Sequence, residues 1–293
     1  MELTVVWRYR LGLLLVTTSA VAWSTAGLFT RLIPLDIWTL LMWRGVFGAL
    51  GVFLFLLVFE RGRSLASFGK MGYAGWGFVV VCTAAMLCFI ASLKLTSVAH
   101  ASVIYATVPL LAAALAWFAL REKPGTSALL ASAAALVGVG IMVGLSTDGT
   151  LAGDLLAFCM TVCMAIMMVI ARRFQAIPML PAACLSAVLS IVVVAPFAQW
   201  NVPDLPDLVN LALFGVVNSA LGLALFAIGS KMLPATETAL IGALDAPLAP
   251  VWVLIAFGEV PGSATLAGGS IVFIAIVAHM LYGAGQSREL APR

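Results

Sequence analysis

TETALIGALDAPLAPVWVLIAFGE, the stretch from Thr236 to Glu259, is apolar and long enough to cross a bilayer, yet it carries a carboxylate. That carboxylate, Asp245, stands two residues before Pro247 and five before Pro250. A charge at the bilayer centre costs about 3 kcal/mol on insertion scales, and a mid-helix proline frees carbonyls that lipid cannot satisfy. The segment must therefore face protein or water. A shift of 137 residues lays Glu122-Lys123-Pro124-Gly125-Thr126-Ser127-Ala128-Leu129 on Glu259-Val260-Pro261-Gly262-Ser263-Ala264-Thr265-Leu266 without a gap. The shared pattern is E-x-P-G-[TS]-x-x-L, and the same shift brings Lys94 onto Lys231. A second, weaker shift of 141 lays Gly12 on Gly153 and Arg31 on Arg172. One unit is written twice.

The rest of the chain has the same character. Of 293 residues, 63% are hydrophobic and 9% charged, against roughly a quarter charged in soluble domains. With a mean hydropathy of +1.16, this is an integral membrane protein. Ten spans are expected, at approximately 11–32, 37–59, 73–93, 98–120, 127–145, 151–171, 179–200, 208–229, 234–257 and 264–285. Arg8 and Arg10 before an apolar run resemble a secretory signal, but the run continues through Trp23 to Leu28 without a polar break and is kept as the first span. The repeat divides the chain into units of residues 1–147 and 148–293, five spans each. An odd number of spans inverts the second copy. The expected fold is an all-α membrane protein, with ten transmembrane helices as two inverted five-helix repeats around a central cavity. That plan recurs in secondary transporters.

Orientation follows from Lys and Arg. If the N-terminus is cytoplasmic, twelve of the 15 basic residues fall on inside segments, Arg31 and Lys94 fall outside, and Arg44 lies within the second span. Both termini are expected in the cytoplasm.

Several function classes lose support. There is no G-x-x-x-x-G-K-[ST], no H-E-x-x-H, and no carboxylate or histidine cluster fit for a metal, which argues against an ATPase or a membrane metalloenzyme. Cys82, Cys88, Cys159, Cys163 and Cys184 all sit in apolar runs and read as packing residues. No metal and no cofactor is expected. A carrier remains.

Asp245 is the one acid deep in a span, since Asp154 and Glu237 lie near span ends where water or headgroups are in reach. It reads equally as a proton carrier or amine receptor and as a neutral, hydrogen-bonded acid beside the proline break. Arg44, about 10 Å into its span, is within snorkelling distance of the interface; the other reading is a partner for a substrate carboxylate. His100 and His279 read as local hydrogen-bonding residues, and the Glu122 and Glu259 turns as scaffold. Aromatic, small and sulphur-bearing residues indicate the ligand type. Trp23-Ser24-Thr25 in the first span, Tyr105 before Pro109 in the fourth, Met160, Met164 and Met167 on one face of the sixth, and Asn218 to Gly222 in the eighth suit a ligand with an apolar body and a small polar head.

Two five-span units, each with a proline-bearing fourth helix leading into an apolar-x-E-x-P-G-[TS] turn (Phe118 to Thr126, Ile255 to Ser263), resemble the paired EamA domains of the drug/metabolite transporter superfamily. The second unit matches well from Pro250 to Gly262; in the first, Arg121 replaces the glycine common before the glutamate. Overall the chain looks most like the bacterial YddG-type aromatic amino acid exporters. The resemblance implies a cavity lined by helices one, three, four, six, eight and nine. Carried over by position, its lining is Trp23, Cys82, Met86, Tyr105, Met160, Met164, Asn218, Gly222, Ile241 and Asp245, and Ser24 joins Asn218 and Asp245 as a contact for the polar head. It further implies export of amino acids across a bacterial inner membrane, with a small-molecule substrate, the lipid bilayer as surroundings, a monomer as the expected assembly, and no nucleic-acid partner. The alternatives are a carrier for another metabolite or a drug, or, from a different class, a membrane-embedded enzyme or a scaffold.

Overall fold

A computed structural model of the protein describes residues 2–59, 68–69, 71–120, 126–145, 149–174, 176–229, 232, 241–242 and 244–289. All regular structure among them is helical. In chain order the helices are α1 (Glu2–Ser24), α2 (Ala26–Leu32), α3 (Ile37–Phe59), α4 (Gly72–Leu95), α5 (Val98–Tyr105), α6 (Val108–Leu120), α7 (Thr126–Leu145), α8 (Leu151–Arg173), α9 (Met179–Val194) and α10 (Leu205–Phe214). A π-helical segment (Gly215–Leu221) follows, then α11 (Gly222–Gly229), α12 (Asp245–Phe257) and α13 (Ser263–Glu289).

Among the described residues six helical stretches are long and apolar enough to cross a membrane: 7–32, 37–58, 72–95, 98–119, 151–171 and 205–226. Four shorter apolar helices, Ala133–Val143, Met179–Val194, Asp245–Phe257 and Ser263–Ala275, fall where the fifth, seventh, ninth and tenth spans are expected. The outside of the bundle is greasy, with Phe118, Leu136 and Ile255 each more than two-thirds exposed. Lipid is the solvent such a surface requires.

Three spans are interrupted, and the chemistry of each break differs. In the first, the hydroxyls of Ser24 and Thr25 donate back to the carbonyls of Val21 and Ala22, at 2.7 and 2.6 Å, and α1 stops there. Such back-bonds compete with the helix ladder, although Thr83 and Thr161 make them within unbroken helices. In the fourth, a proline at position 109 has no N–H to donate to the helix ladder, and α5 ends at Tyr105 while α6 begins at Val108. In the ninth, Pro247 sits in the first turn of α12, where its missing N–H costs little, and the helix starts at Asp245. Helices α6 and α12 each have 13 residues and begin 137 apart; α7 and α13 also begin 137 apart. Gly258 ends α12 in the left-handed region (φ 68), which explains a glycine before Glu259. Glu122 and its turn lie outside the described residues.

The main hydrophobic core gathers Ile33, Leu40, Leu41, Ile90, Leu93 and Phe214 among others. Several of its members border the connections at 33–36, 96–97 and 195–204, so one end of the bundle is closed by packing.

Candidate functional site

At the level of the interrupted helices the bundle holds a partly open cavity of about 280 Å³. Ligand sites commonly run upward from roughly 300 Å³, so this one suits a single small molecule. Its lining is mostly apolar, with a few polar groups that converge from the breaks.

Asn218 is the hub of the first group. The π-helical turn places its side chain, 6% exposed, against the gap in the first span. Its Nδ2 donates to the carbonyls of Ala22 and Trp23 at 3.3 and 3.2 Å, which leaves Oδ1 to accept from Nη2 of Arg44 at 3.0 Å. These three partners fix which way round the amide sits, since only its nitrogen can serve the carbonyls. Close approach of the two spans makes this possible: a Cβ on Gly215 would stand 2.7 Å from the backbone nitrogen of Gly48. The Arg44 guanidinium also lies over the Phe214 ring, 4.7 Å from its centre. Trp252 Nε1 donates to Ser24 Oγ at 2.8 Å and ties α12 to the same break.

Tyr105 and Asp245 form the second group. Tyr105 closes α5 and Asp245 opens α12, and their side chains interact across the gap between the two helices. Both line the cavity. The apolar wall between the groups includes Trp23, Met86, Phe89, Met160, Met164 and Met167. Trp23 leans on Phe226 with ring centres 5.2 Å apart.

Of the residues expected at the site, Trp23, Ser24, Cys82, Met86, Tyr105, Met160, Met164, Asn218 and Asp245 surround this one cavity. Gly222 and Ile241 are not among its described lining. Gly222 stands behind Trp23, where a Cβ would come 2.5 Å from the indole Nε1. The lining also draws on spans two and seven, through Arg44, Val52, Ala183 and Ser186, which position-by-position transfer missed. Arg44 is 5% exposed and turned inward, so it does not snorkel to the interface.

A polar network closes one end of the bundle. Asp154 is 6% exposed, not at a wet helix end; its Oδ1 accepts from Thr96 Oγ1 at 2.8 Å. His100 Nδ1 lies 3.1 and 3.2 Å from its two oxygens, and His100 Nε2 lies 3.1 Å from Thr265 Oγ1. Nearer the surface Arg31 pairs with Glu259 at 3.4 Å, and Lys94 Nζ donates to the carbonyl of Ile33 at 2.7 Å. Among the described residues no group of three or more His, Cys, Asp or Glu is arranged to hold a metal.

Comparison with known proteins agrees with this geometry. The model of the EamA-like transporter family matches the chain twice, over residues 10–144 and 151–281. A solved crystal structure shares the fold with a TM-score of 0.64 at 20% identity, covering 96% of this chain and 99% of its own. No curated protein matches the chain.

Proposed function

Because the chain belongs to the EamA-like transporter family, a family of multi-pass membrane carriers, we propose that it exports aromatic and other amphipathic amino acids, with related small metabolites, across a bacterial inner membrane. The observation that carries the reading is the cavity: rings and methionines form its walls, and the Tyr105–Asp245 pair stands at two helix breaks. The walls take the apolar side chain and Asp245 takes the ammonium, while Ser24 and Asn218 offer further polar contact. A small, multipoint site of this kind binds weakly enough to release.

Movement is by alternating access between two inverted halves. The matching bounds of α6 and α12, 137 residues apart, support that symmetry. With both termini cytoplasmic, the end closed by the Asp154 network is the outer one, which favours loading from inside. Opening that end then requires His100, Asp154 and Thr265 to part.

Flux of labelled phenylalanine and tryptophan into membrane vesicles tests this. Saturable uptake, competed by unlabelled aromatic amino acids, is expected. Absence of saturable flux for every amino acid tried rejects the substrate and leaves the family membership as it is; a drug and metabolite panel then identifies the cargo.

A further inference from the structure

Arg44 has no role in the reading above, and its surroundings are unusual for a structural cation. It is 5% exposed within the second span and lines the cavity. One nitrogen, Nη2, is used by Asn218; Nε and Nη1 are buried without a hydrogen-bond partner. Those two nitrogens carry three of the guanidinium's five donors. Among the described residues no carboxylate forms an ion pair with it, although Asp245 lines the same cavity. What holds the charge is a neutral amide oxygen and the face of Phe214, and such partners offset only part of the cost of burying a cation.

We propose that Arg44 is the receptor for a substrate carboxylate, held in position by Asn218 and Phe214. A guanidinium kept dry and incompletely bonded is strongly attractive to a planar anion, because the anion supplies both the missing charge and the missing acceptors. Asn218 has no hydrogen left to turn away: both its partners on the Nδ2 side are main-chain carbonyls, so its oxygen stays on Arg44 and the fork keeps its direction. Opposite charges that share a cavity without neutralising each other match a zwitterion. The ammonium goes to Asp245 and the carboxylate to Arg44. The proposal deepens the amino-acid reading and rests on it for the shape of the ligand. It also makes Arg44 a determinant of specificity, because amines and amides of the same shape leave the guanidinium unpaired.

The test uses full-length protein in lipid nanodiscs and titrates 3-phenylpropionate against 3-phenylpropanamide, which share a body and differ in the carboxylate. Wild type is expected to bind the acid at least about tenfold more tightly than the amide, a gap typical of one charge-assisted contact. In Arg44→Gln the ratio falls to about twofold or less. Arg44→Met is the second variant, since it keeps the length of the side chain without charge or donors and removes a buried cation; it should fold and also lose the preference. A wild-type protein with no preference for the acid, or a preference that survives in either variant, overturns the proposal. The two readings fail separately. Acid preference lost in Arg44→Gln, in a protein that carries no amino acid, removes the amino-acid substrate and keeps the carboxylate receptor. Amino-acid transport with an unchanged acid-to-amide ratio in Arg44→Gln does the reverse.

Discussion

His100 and Asp154, which belong to different halves of the chain, face each other at 3.1 Å across the closed end of the bundle, with Thr96 and Thr265 completing the contact on either side. Both are nearly inaccessible to solvent, at 1% and 6% exposure. Removing one member of a buried hydrogen-bonded network leaves its partners unsatisfied, at a cost of about 1–3 kcal/mol for each. Asp154→Ala should therefore lower the thermal midpoint in nanodiscs clearly, and Asp154→Asn, which keeps an acceptor, should lower it less. An unchanged midpoint in Asp154→Ala would show that the network does not hold that end shut.

The nearby pair of Arg31 and Glu259 is a control for this argument. Its side chains are 27% and 43% exposed, and pairs in that setting contribute about 0–1 kcal/mol. Glu259→Gln should leave the midpoint almost where it is. A loss as large as that of Asp154→Ala would mean that the turn after α12, not the buried network, closes the end.

Asp245 is the residue to separate amine recognition from proton coupling. Asp245→Asn keeps the shape and a hydrogen-bond acceptor for Tyr105 but has no proton to exchange. Any dependence of phenylalanine flux on a pH gradient should disappear in this variant. Gradient dependence that persists unchanged rejects Asp245 as the proton site.

Gly222 stands behind Trp23, a wall of the cavity, without being among its described lining. A Cβ there would come 2.5 Å from the Trp23 Nε1, so the indole must move. In Gly222→Ala the displaced ring narrows the pocket, and the KM for tryptophan should rise about fivefold, roughly 1 kcal/mol, with a smaller effect for valine. Equal effects on both substrates would place the change in folding or gating instead.

Asp36 offers a pH signature outside the membrane. Its Oδ1 accepts from the backbone N–H groups of Trp38 and Thr39, at 3.0 and 3.1 Å, and caps α3. Slight burial pushes its carboxyl up, but the hydrogen bonds from Thr39 and Trp38 outweigh that and hold it below the usual carboxylate value. The folded carboxyl thus binds its proton less readily than the unfolded one. Its stabilisation is present above the ordinary carboxylate range and is lost as pH falls through the lowered value. Asp36→Ala should cost about 1 kcal/mol at neutral pH, and the gap from wild type in thermal midpoint should close on acidification.

The duplicated unit was legible because prolines and glycines punctuate a sequence directly. Pro109 and Pro247 mark the starts of α6 and α12, and Gly258 marks a left-handed cap. The gap after Ser24 was not legible, since no residue there forbids helix. Arg44 and Asp154 were misjudged for one shared reason: depth was counted along a single span from its end. Whether a side chain near a span end reaches water depends on which neighbouring helices cover it, and here α8 packs on α4 while the π-helical segment packs on α3. Nine cavity residues could be placed from the sequence and the family pattern, but the contribution of spans two and seven could not, because it arises from packing between units.

The seven π-helical residues from Gly215 to Leu221 accommodate one residue more than an α-helix of the same height. The eighth span therefore holds slack beside the cavity. Drawing that slack out would turn the helix on one side of Asn218 by about 100°, the angle of a single residue, with little shift of its axis. The amide would then leave both the broken end of α1 and the guanidinium in one motion. If Arg44 receives the substrate as proposed, its occupancy and the release of the first span would be geared to the same turn of helix, and a carrier geared in this way would not need a long lever to let its cargo go.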